Sequence, residues 1–358
     1  MSKTCLCVKT EKREAEHWRQ LLKEAELLRQ DLRILSEDGF LFLPLQDELS
    51  AEELPQLPNF PLERRIFKEA KVHSVDWKVT LQQEGQIPGE LLRLLPSSFD
   101  IIGHVLILKL DPCLLPYKEH IAQVIIRCQN NVGSVAMEDK VEGEFRIRSL
   151  KHLAGERNIE TTHRENGLQY LLDPAKVYFS PRLATERMRV AMAVQERFAT
   201  DNVRETVLDL FAGVGPFALL LGKKAPVETV VAVDKNPVAV DYLKVNISLN
   251  KLGNVEAVCG DAALYPKELG ARGKRFHRII MNFPSHPDPF FAPALDAAGP
   301  GALIHFYRIT GHGELDTVKE FLERTATGAG RGIKDIVHRH IRTYSATLSH
   351  YAFDVRLE

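Results

Sequence analysis

The 358-residue chain carries 47 lysine and arginine residues against 48 aspartate and glutamate residues, so its overall charge points to neither a nucleic-acid binder nor a membrane-surface protein. No apolar run approaches the length of a membrane span, and the beginning MSKTCLCVKTEKREAEHW is too polar for a secretory signal. Five scattered cysteines argue against a disulfide framework, and no histidine or cysteine group has metal-ligand spacing. We therefore expect a cytoplasmic monomer with no membrane or DNA partner and no bound metal.

The first 45 residues predict a small αβ module. A strand pattern over residues 4–9 precedes a helix, and the strand FLFLPL then ends at Pro44. The helix presents one apolar face, made by Trp18, Leu21, Leu22, Ala25 and Leu28. Three prolines within residues 46–62 indicate a stiff linker after the module.

Two larger domains are predicted after the linker. Residues 63–175 combine strand runs such as DIIGHVLILKL with a helical stretch at YKEHIAQVIIRC, which is typical of an α+β domain. Residues 176–358 alternate helix and strand, and such alternation predicts an α/β domain with a parallel, doubly wound sheet.

The segment VLDLFAGVGPFA joins a strand to a helix through Gly213 and Gly215. Glycines at this position let a ligand approach the backbone closely, and the helix N-terminus beyond them favours negative charge. The segment satisfies the dinucleotide pattern G-x-G-x-x-A, and Asp234 follows at a distance suited to a ribose. A nicotinamide-dependent oxidoreductase is therefore one interpretation of this loop.

Three acidic residues favour a different cofactor. Asp209 precedes the glycines, where a carboxylate would repel a pyrophosphate but would suit the ammonium group of S-adenosylmethionine. Asp234 ends the next strand and could accept both ribose hydroxyls, while Asp261 follows a third strand and could accept the adenine amino group. Each acid alone is equally well explained as a cap or turn residue, but three acids ending three successive strands predict a site.

A fourth predicted strand ends in RIIMNFPSHPDPFF, where Asn282 and Pro284 stop it abruptly. Proline cannot donate to a sheet ladder, so an ordinary exit from the strand explains the turn in part. In open α/β sheets, however, ligands bind beyond the carboxyl ends of the strands. The turn is therefore suited to hydrogen-bond a planar, nitrogen-containing substrate beside the methyl donor.

Nearly the whole chain resembles the archaeal and eukaryotic tRNA methyltransferases that methylate N1 of guanine 37, most closely in their archaeal three-module form. The resemblance rests on CLCVKT, FDIIGHVLILKL, LPYKEHIAQVI, FRIRSLKHLAGERN, KVYFSPRLATER, DLFAGVGPF, VDKNP, GDA and NFP. It implies a class I, Rossmann-like methyltransferase domain, S-adenosylmethionine as cofactor and tRNA as substrate. The segment from Tyr178 to Arg187 is its most specific part, because a generic methyltransferase fold does not require it.

The resemblance also implies roles for individual residues. Glu186 matches the general base of the family, and Arg146 matches the group beside the guanine oxygen. Asn282 and Pro284 match an Asn-Leu-Pro turn, with Phe283 in place of the leucine, where bulk rather than chemistry is expected. The remaining matched positions are Tyr178 in the active-site strip and, on the cofactor side, Arg182, Arg187, Asp209, Phe211, Gly213, Gly215, Asp234 and Asp261.

The chemistry of the reaction agrees with these roles. Guanine N1 keeps its proton at neutral pH, so methyl transfer needs a base, and negative charge then develops on the neighbouring carbonyl oxygen. Spacing alone instead favours Glu186 as an exposed helix-surface acid that pairs with Arg182 or Arg189. Arg146 and Arg148 likewise fit a solvated sheet face.

Several further basic residues could contact RNA phosphates, although such residues are more often merely solvated. They are Lys151, Arg157, Arg164, Arg331, Lys334, Arg339 and Arg342. Three alternatives to the methyltransferase remain at this point: an aminocarboxypropyl transferase of wybutosine synthesis, a nicotinamide dehydrogenase and a non-catalytic RNA-binding protein.

Overall fold

The computed structural model describes residues 2–11, 14–24, 27–29, 32–37, 39–46, 62–68, 76–142 and 147–358. Most of the predicted linker and Arg146 lie outside these ranges. The chain forms two compact units, one of Met1–Arg93 with Val124–Asn131 and one of Leu94–Gln123 with Val132–Glu358. No helix in the described ranges is both long and apolar enough to cross a membrane.

The first unit contains a four-stranded sheet in the order β2-β3-β1-β4. Its elements are β1 (Ser2–Glu11), α1 (Ala15–Glu24), β2 (Leu35–Glu37), β3 (Phe40–Pro44) and β4 (Leu62–Lys68). The predicted strands are confirmed, and the predicted helix is confirmed as far as Glu24; Leu28, predicted on its apolar face, instead forms an isolated bridge with Leu45, and Ala25 lies outside the described residues. Alternation along β1 places Cys5 and Cys7 in one apolar cluster and Val8 in another, which also holds Leu22 of α1. The fourth strand, which pairs with β1, comes from beyond residue 45. Two short helices, α2 (Trp77–Glu84) and α3 (Gly89–Leu92), follow.

The second unit begins with a mixed sheet in the order β5-β6-β7-β8. Its strands are β5 (Asp100–Ile102), β6 (Val105–Leu108), β7 (Ser134–Glu142) and β8 (Ile147–Gly155), and the helix α4 (Lys118–Cys128) between β6 and β7 is divided between the two units at Gln123. A hairpin of β9 (Thr161–Glu165) and β10 (Leu168–Leu172) comes next. Its turn consists of Asn166 and Gly167, both at positive φ, as a two-residue hairpin turn requires.

A seven-stranded sheet dominates the second unit, with strand order β13-β12-β11-β14-β15-β17-β16. Its strands are β11 (Glu205–Asp209), β12 (Val227–Asp234), β13 (Val255–Cys259), β14 (Phe276–Met281), β15 (Ala298–Thr310), β16 (Ile333–Thr343) and β17 (Ser349–Leu357). The sheet is parallel from β13 to β15, as predicted, but β17 is antiparallel to both of its neighbours. A short connection can join antiparallel strands, whereas a parallel pair needs a crossover.

Helices cover both faces of this sheet. They are α5 (Ala184–Asp201), α6 (Pro216–Lys224), α7 (Pro237–Leu249), α8 (Tyr265–Ala271), α9 (Asp288–Ala297) and α10 (Leu315–Gly328). Alternate residues of each inner strand enter opposite layers: Val207 and Ile280 pack with α5, α6 and α7, whereas Leu208 and Ile279 pack with α8, α9 and α10. The strand order reverses between β12-β11 and β14-β15, which creates the crevice where ligands bind in such folds.

Asn246 of α7 and Asn250, the residue that caps the end of this helix, hold the backbone of the β9–β10 hairpin. Asn246 accepts from the Leu171 N–H at 2.7 Å and donates to the Leu171 and Val214 carbonyls, each at 3.1 Å. Asn250 accepts from the Gln169 N–H at 2.9 Å and donates to its carbonyl at 2.7 Å. The two side chains are one helical turn apart, so they match alternate residues of β10. Through Val214, Asn246 also holds the glycine loop.

We expect Asn246→Ala to lower the free energy of unfolding by about 3–5 kcal/mol, because it leaves three buried backbone groups without partners. Urea denaturation measures the effect. Ser248→Ala is the matched control, since Ser248 is an exposed residue on the same helix and its loss costs about 0.5 kcal/mol or less. Equal stability of the two variants would contradict this account of the hairpin.

Candidate active site

A cavity of about 360 Å³ lies at the carboxyl ends of β11, β12 and β14, where the strand order reverses. Its volume is within the range of small-molecule and cofactor sites. Eight residues predicted for the site line it: Tyr178, Arg187, Phe211, Gly213, Asp234, Asp261, Asn282 and Pro284. Glu186, Arg182, Asp209 and Gly215 are not among its lining residues.

The glycine loop after β11 is shaped by its two glycines and by Asp234. Gly213 has φ +54° and lines the cavity. Its N–H donates to Asp234 Oδ2 at 2.7 Å, and the Asn236 N–H donates to Oδ1 at 2.9 Å. Gly215 has φ +93°, and a Cβ there would lie 2.1 Å from Leu219 Cδ1. Gly215 thus permits helix packing, while Gly213 leaves backbone open to a ligand.

Asp209 is buried beneath the cavity at the end of β11. Among the described residues, no donor of normal hydrogen-bond geometry reaches either carboxylate oxygen. Burial, with a smaller contribution from the nearby charge of Asp234, raises the pKa of this carboxyl to about 7, although the backbone N–H groups of Phe211 and Ala218 oppose the change. A cationic ligand group would stabilise the ionised form.

Asp261 already has protein partners. The Ala263 N–H donates to its Oδ1 at 2.8 Å, and Lys235 Nζ lies 3.1 Å from its Oδ2. The Ala263 hydrogen bond and the Lys235 charge hold its pKa below the usual value, against a smaller effect of burial. Asp261 is therefore both a turn residue and part of the cavity wall.

The Asn282-Phe283-Pro284 turn closes the cavity beyond β14. Asn282 Oδ1 is buried, and no donor among the described residues reaches it. Phe283 stacks on Phe211 with ring centroids 5.0 Å apart, and the edge of Phe290 meets Phe211 at the same distance. The Pro284 carbonyl accepts from the Ile309 N–H at 2.8 Å. The aromatic substitution at position 283 thus packs against the glycine loop.

The arginines of the 178–187 strip are engaged in ion pairs. Arg187 binds both oxygens of Glu165, at 2.8 and 2.5 Å, and is almost fully buried although it borders the cavity. Arg182 instead pairs with Asp100 at 2.6 Å. Arg148 shares that carboxylate at 2.9 Å and is buried, so the alternative explanation by a solvated sheet face is wrong for Arg148. A buried acid from a distant segment draws this side chain inward.

Glu186 is buried, so the interpretation as an exposed helix-surface acid is wrong. Its carboxylate accepts two hydrogen bonds from Arg189, at 2.8 and 2.7 Å, and a third from the Tyr307 hydroxyl at 2.6 Å. The predicted Arg189 partner is confirmed, whereas Arg182 binds elsewhere. Glu186 therefore lies behind the cavity wall in this structure.

Sequence reasoning missed part of the wall. The residues not predicted for the site include Lys235, Asn236, Phe290, Ile309, Tyr344 and His350. Arg342, predicted as a phosphate contact, also lines the cavity. Another predicted phosphate contact, Arg331, donates instead to the carbonyls of Leu295, Ala298 and Gly299.

These features fit S-adenosylmethionine better than a dinucleotide. The buried oxygens of Asp209 and Asn282 need positive or hydrogen-donating partners, and Gly213 leaves room for a ligand against the backbone. A pyrophosphate near Asp209 would meet like charge. The fold and the cavity define a class I, Rossmann-like S-adenosylmethionine-dependent methyltransferase.

Comparison with known proteins identifies the family. The TRM5/TYW2 methyltransferase domain matches residues 161–332, the TYW2 N-terminal domain matches residues 80–158, and the tRNA methyltransferase 5 N-terminal domain matches residues 7–53. The tRNA (guanine(37)-N(1))-methyltransferase Trm5b of Pyrococcus abyssi is 38% identical over 98% of this chain and 99% of its own. The chain belongs to this family of tRNA (guanine(37)-N(1))-methyltransferases.

A crystal structure and one further protein place the chain within the wider group. A crystal structure of Trm5b from Pyrococcus abyssi aligns with a TM-score of 0.69 at 36% identity and covers 99% of both chains. The tRNA(Phe) (4-demethylwyosine(37)-C(7)) aminocarboxypropyltransferase of Pyrococcus horikoshii is 31% identical over 76% of this chain and 93% of its own. The methyltransferase is thus similar over a larger share of the chain.

We expect Asp209→Asn to remove a pH-dependent destabilisation of the cofactor-free protein. The folded-state pKa of about 7 exceeds the ordinary 3.8, so native stability is greatest below that ordinary value and declines as pH rises toward 7. The stability difference in favour of the variant should therefore grow by up to about 1.4 kcal/mol per pH unit across this window.

Urea denaturation at a series of pH values checks this expectation. Asp241→Asn provides the control, because Asp241 is an exposed carboxylate on α7. The free energy of unfolding of Asp241→Asn should change with pH in the same way as that of the native protein. A difference between Asp209→Asn and native protein that is constant with pH would rule out an uncompensated Asp209 carboxylate.

Proposed function

We propose that this protein transfers a methyl group from S-adenosylmethionine to N1 of guanine 37 in tRNA. The observation that carries the proposal is Asn282 Oδ1, which is buried without a hydrogen-bond partner among the described residues and lies in the wall of the cavity that also contains Asp234 and Asp261. An N–H group of a purine can donate to this oxygen while the acids hold the cofactor. Family membership supports the same assignment.

The acids at the strand ends are assigned to the cofactor. Asp234 accepts hydrogen bonds from the ribose hydroxyls, Asp261 from the adenine amino group, and Asp209 serves the ammonium group directly or through water. Phe211 and Gly213 complete this part of the wall. When bound, S-adenosylmethionine supplies a methyl group activated by its sulfonium charge. Asn282 and Pro284 hold the target base in position for the transfer.

Proton removal from the target base is assigned to Glu186, with Arg146 stabilising the charge on the guanine oxygen. Tyr178, a cavity residue, contacts the base from the same strip. Because Glu186 is buried and does not line the cavity, the wall in front of its carboxylate must open to the base when the tRNA is bound. The proton passes from N1 to a Glu186 oxygen.

One alternative has a specific observation in its favour. Residues 80–158 match the TYW2 N-terminal domain, and the similar Pyrococcus horikoshii protein is an aminocarboxypropyltransferase. That reaction would use a different carbon of the same cofactor. The cavity itself is compatible with both, so product chemistry must separate them.

The deciding experiment uses two labelled forms of S-adenosylmethionine with unmodified tRNA and, in separate reactions, with tRNA that carries 4-demethylwyosine at position 37. Label from the methyl carbon should appear in N1-methylguanosine, and label from the carboxyl carbon should remain in the small-molecule fraction. A tRNA with adenosine at position 37 serves as the control substrate. Carboxyl label in the tRNA would instead assign the aminocarboxypropyl reaction, and absence of both labels would overturn the enzymatic assignment.

Glu186→Gln should lower the single-turnover rate of methyl transfer by about 10²- to 10⁴-fold, because it removes the base while keeping side-chain size. Residual activity should rise with pH as hydroxide takes over the deprotonation. Rapid-quench measurements over a pH series test this, with Glu196→Gln as an exposed control on the same helix. A near-native rate for Glu186→Gln would exclude the general-base role.

The first module is proposed to recognise tRNA shape, which is how folded RNA is largely read. Deletion should end after β4, since that strand pairs with β1. Removal of residues 1–68 should leave S-adenosylmethionine affinity unchanged in calorimetry and weaken tRNA binding. Loss of cofactor binding on deletion would show that the module belongs to the catalytic core.

A further inference from the structure

A chain of buried polar contacts starts at Glu186 and crosses the seven-stranded sheet. Its members come from α5, β15, β17, β14 and β11. In order, the contacts are Tyr307 to Glu186 at 2.6 Å, Glu186 to Arg189 at 2.7 Å, Arg189 to Asp354 at 2.7 Å, Asp354 to His305 at 2.5 Å, His305 to Arg278 at 2.7 Å and Arg278 to Glu205 at 2.6 Å. Such a chain is costly to bury unless each member is paired.

The Glu186 end of the chain is fixed in geometry. Arg189 binds both carboxylate oxygens through Nε and Nη2, and the Tyr307 hydroxyl donates to Oε1. Tyr307 is fully buried, and its ring lies 5.7 Å from that of His350, a residue of the cavity wall. The anion is therefore stabilised by three charge-assisted hydrogen bonds.

Arg189 is shared between two acids. Its Nη1 donates to Asp354 Oδ2 at 2.7 Å while its other groups hold Glu186. Asp354 also lies 3.7 Å from Arg339 of β16. Burial alone would raise the Asp354 pKa, but the hydrogen bonds from His305 and Arg189, together with the Arg189 charge, outweigh it and keep the pKa below normal. Asp354 thus stays ionised beside the guanidinium.

The tautomer of His305 follows from its two partners. Arginine can only donate, so His305 Nε2, which faces Arg278, must be the acceptor. The ring proton is therefore on Nδ1 and is donated to Asp354. Burial lowers the pKa of His305, which agrees with a neutral ring. Arg278 is anchored in turn by both oxygens of Glu205.

We infer that Tyr307 and Arg189 are positioning residues for the Glu186 base, and that Asp354, oriented by His305, balances the Arg189 charge when Glu186 takes up the proton. The inference rests on the proposed general-base role of Glu186. When the N1 proton moves to the Glu186 carboxylate, Glu186 becomes neutral. Asp354 then remains as the negative charge that balances Arg189. The Tyr307 hydroxyl can then reverse and accept from the protonated acid.

Two substitutions should move the pH dependence of methyl transfer in opposite directions. Tyr307→Phe removes a hydrogen bond that favours the Glu186 anion, so the acidic limb of the pH–rate profile should shift to higher pH. We expect a rate about tenfold lower than native on the acidic limb and close to native on the plateau, which is the effect of losing one hydrogen bond to a charged group. Asp354→Asn leaves the Arg189 charge unbalanced, so Arg189 holds the anion more tightly. The acidic limb of the Asp354→Asn profile should then shift to lower pH, and the rate of methyl transfer on the plateau should be lower than native.

The experiment is a single-turnover profile for native protein and both variants, with cofactor and tRNA affinities measured in parallel. Tyr242→Phe is the matched control, because the Tyr242 hydroxyl donates to Glu160 at 2.5 Å outside this chain of contacts. Its profile should coincide with the native one. A merely structural role would lower the rate by one factor at every pH, and that result would overturn the inference.

The outcomes separate this inference from the proposed function. If Glu186→Gln reacts at the native rate, the general-base role fails and the inference fails with it. If Glu186→Gln is slow while Tyr307→Phe gives a profile parallel to the native one, only the inference fails. If Asp354→Asn does not fold, the pH–rate profile of Tyr307→Phe alone tests the inference, because this substitution removes one oxygen and keeps the packing of the ring.

Discussion

The pocket depends on how the glycine loop after β11 is held. Asp234, from the neighbouring strand, accepts the Gly213 N–H, and Asn246, from α7, donates to the Val214 carbonyl. The loop is therefore fixed from two sides before any ligand arrives. Fixed backbone N–H groups and strand ends bind a ligand without a large ordering cost. Asp234 thereby serves the protein backbone as well as its proposed ribose.

The strand-end acids and the glycine loop could be predicted because they follow from local patterns. Asp209, Asp234 and Asn282 each end an inner strand, and parallel strands bring their carboxyl ends to one edge. The burial of Glu186 could not be predicted in this way. It depends on Tyr307 and on Arg189, whose second partner is Asp354, and the strand that carries Asp354 inserts antiparallel between β15 and β16. Such long-range pairing leaves no periodic signal in sequence.

The charged groups around the cavity differ in how well the protein compensates their charges. Arg187 and Glu165 form a buried, bidentate pair beside the cavity, and the removal of one partner would leave an unpaired charge. Asp209 is the opposite case, because its carboxyl is buried without a donor of normal geometry among the described residues. The protein thus fixes the wall of the pocket firmly and leaves one group beneath it to be satisfied by a ligand.

Asn246 and Asn250 have one more consequence, for association between chains. A β-strand whose backbone groups face solvent is a template for pairing with another molecule, and such open edges promote aggregation. Along β10 the outward N–H and C=O groups of Gln169 and Leu171 are already bound by Asn250 and Asn246. The asparagine side chains thus occupy the hydrogen-bonding groups that a neighbouring strand would use. At these two residues, this side of the hairpin has no free backbone group with which a second copy of the chain could pair.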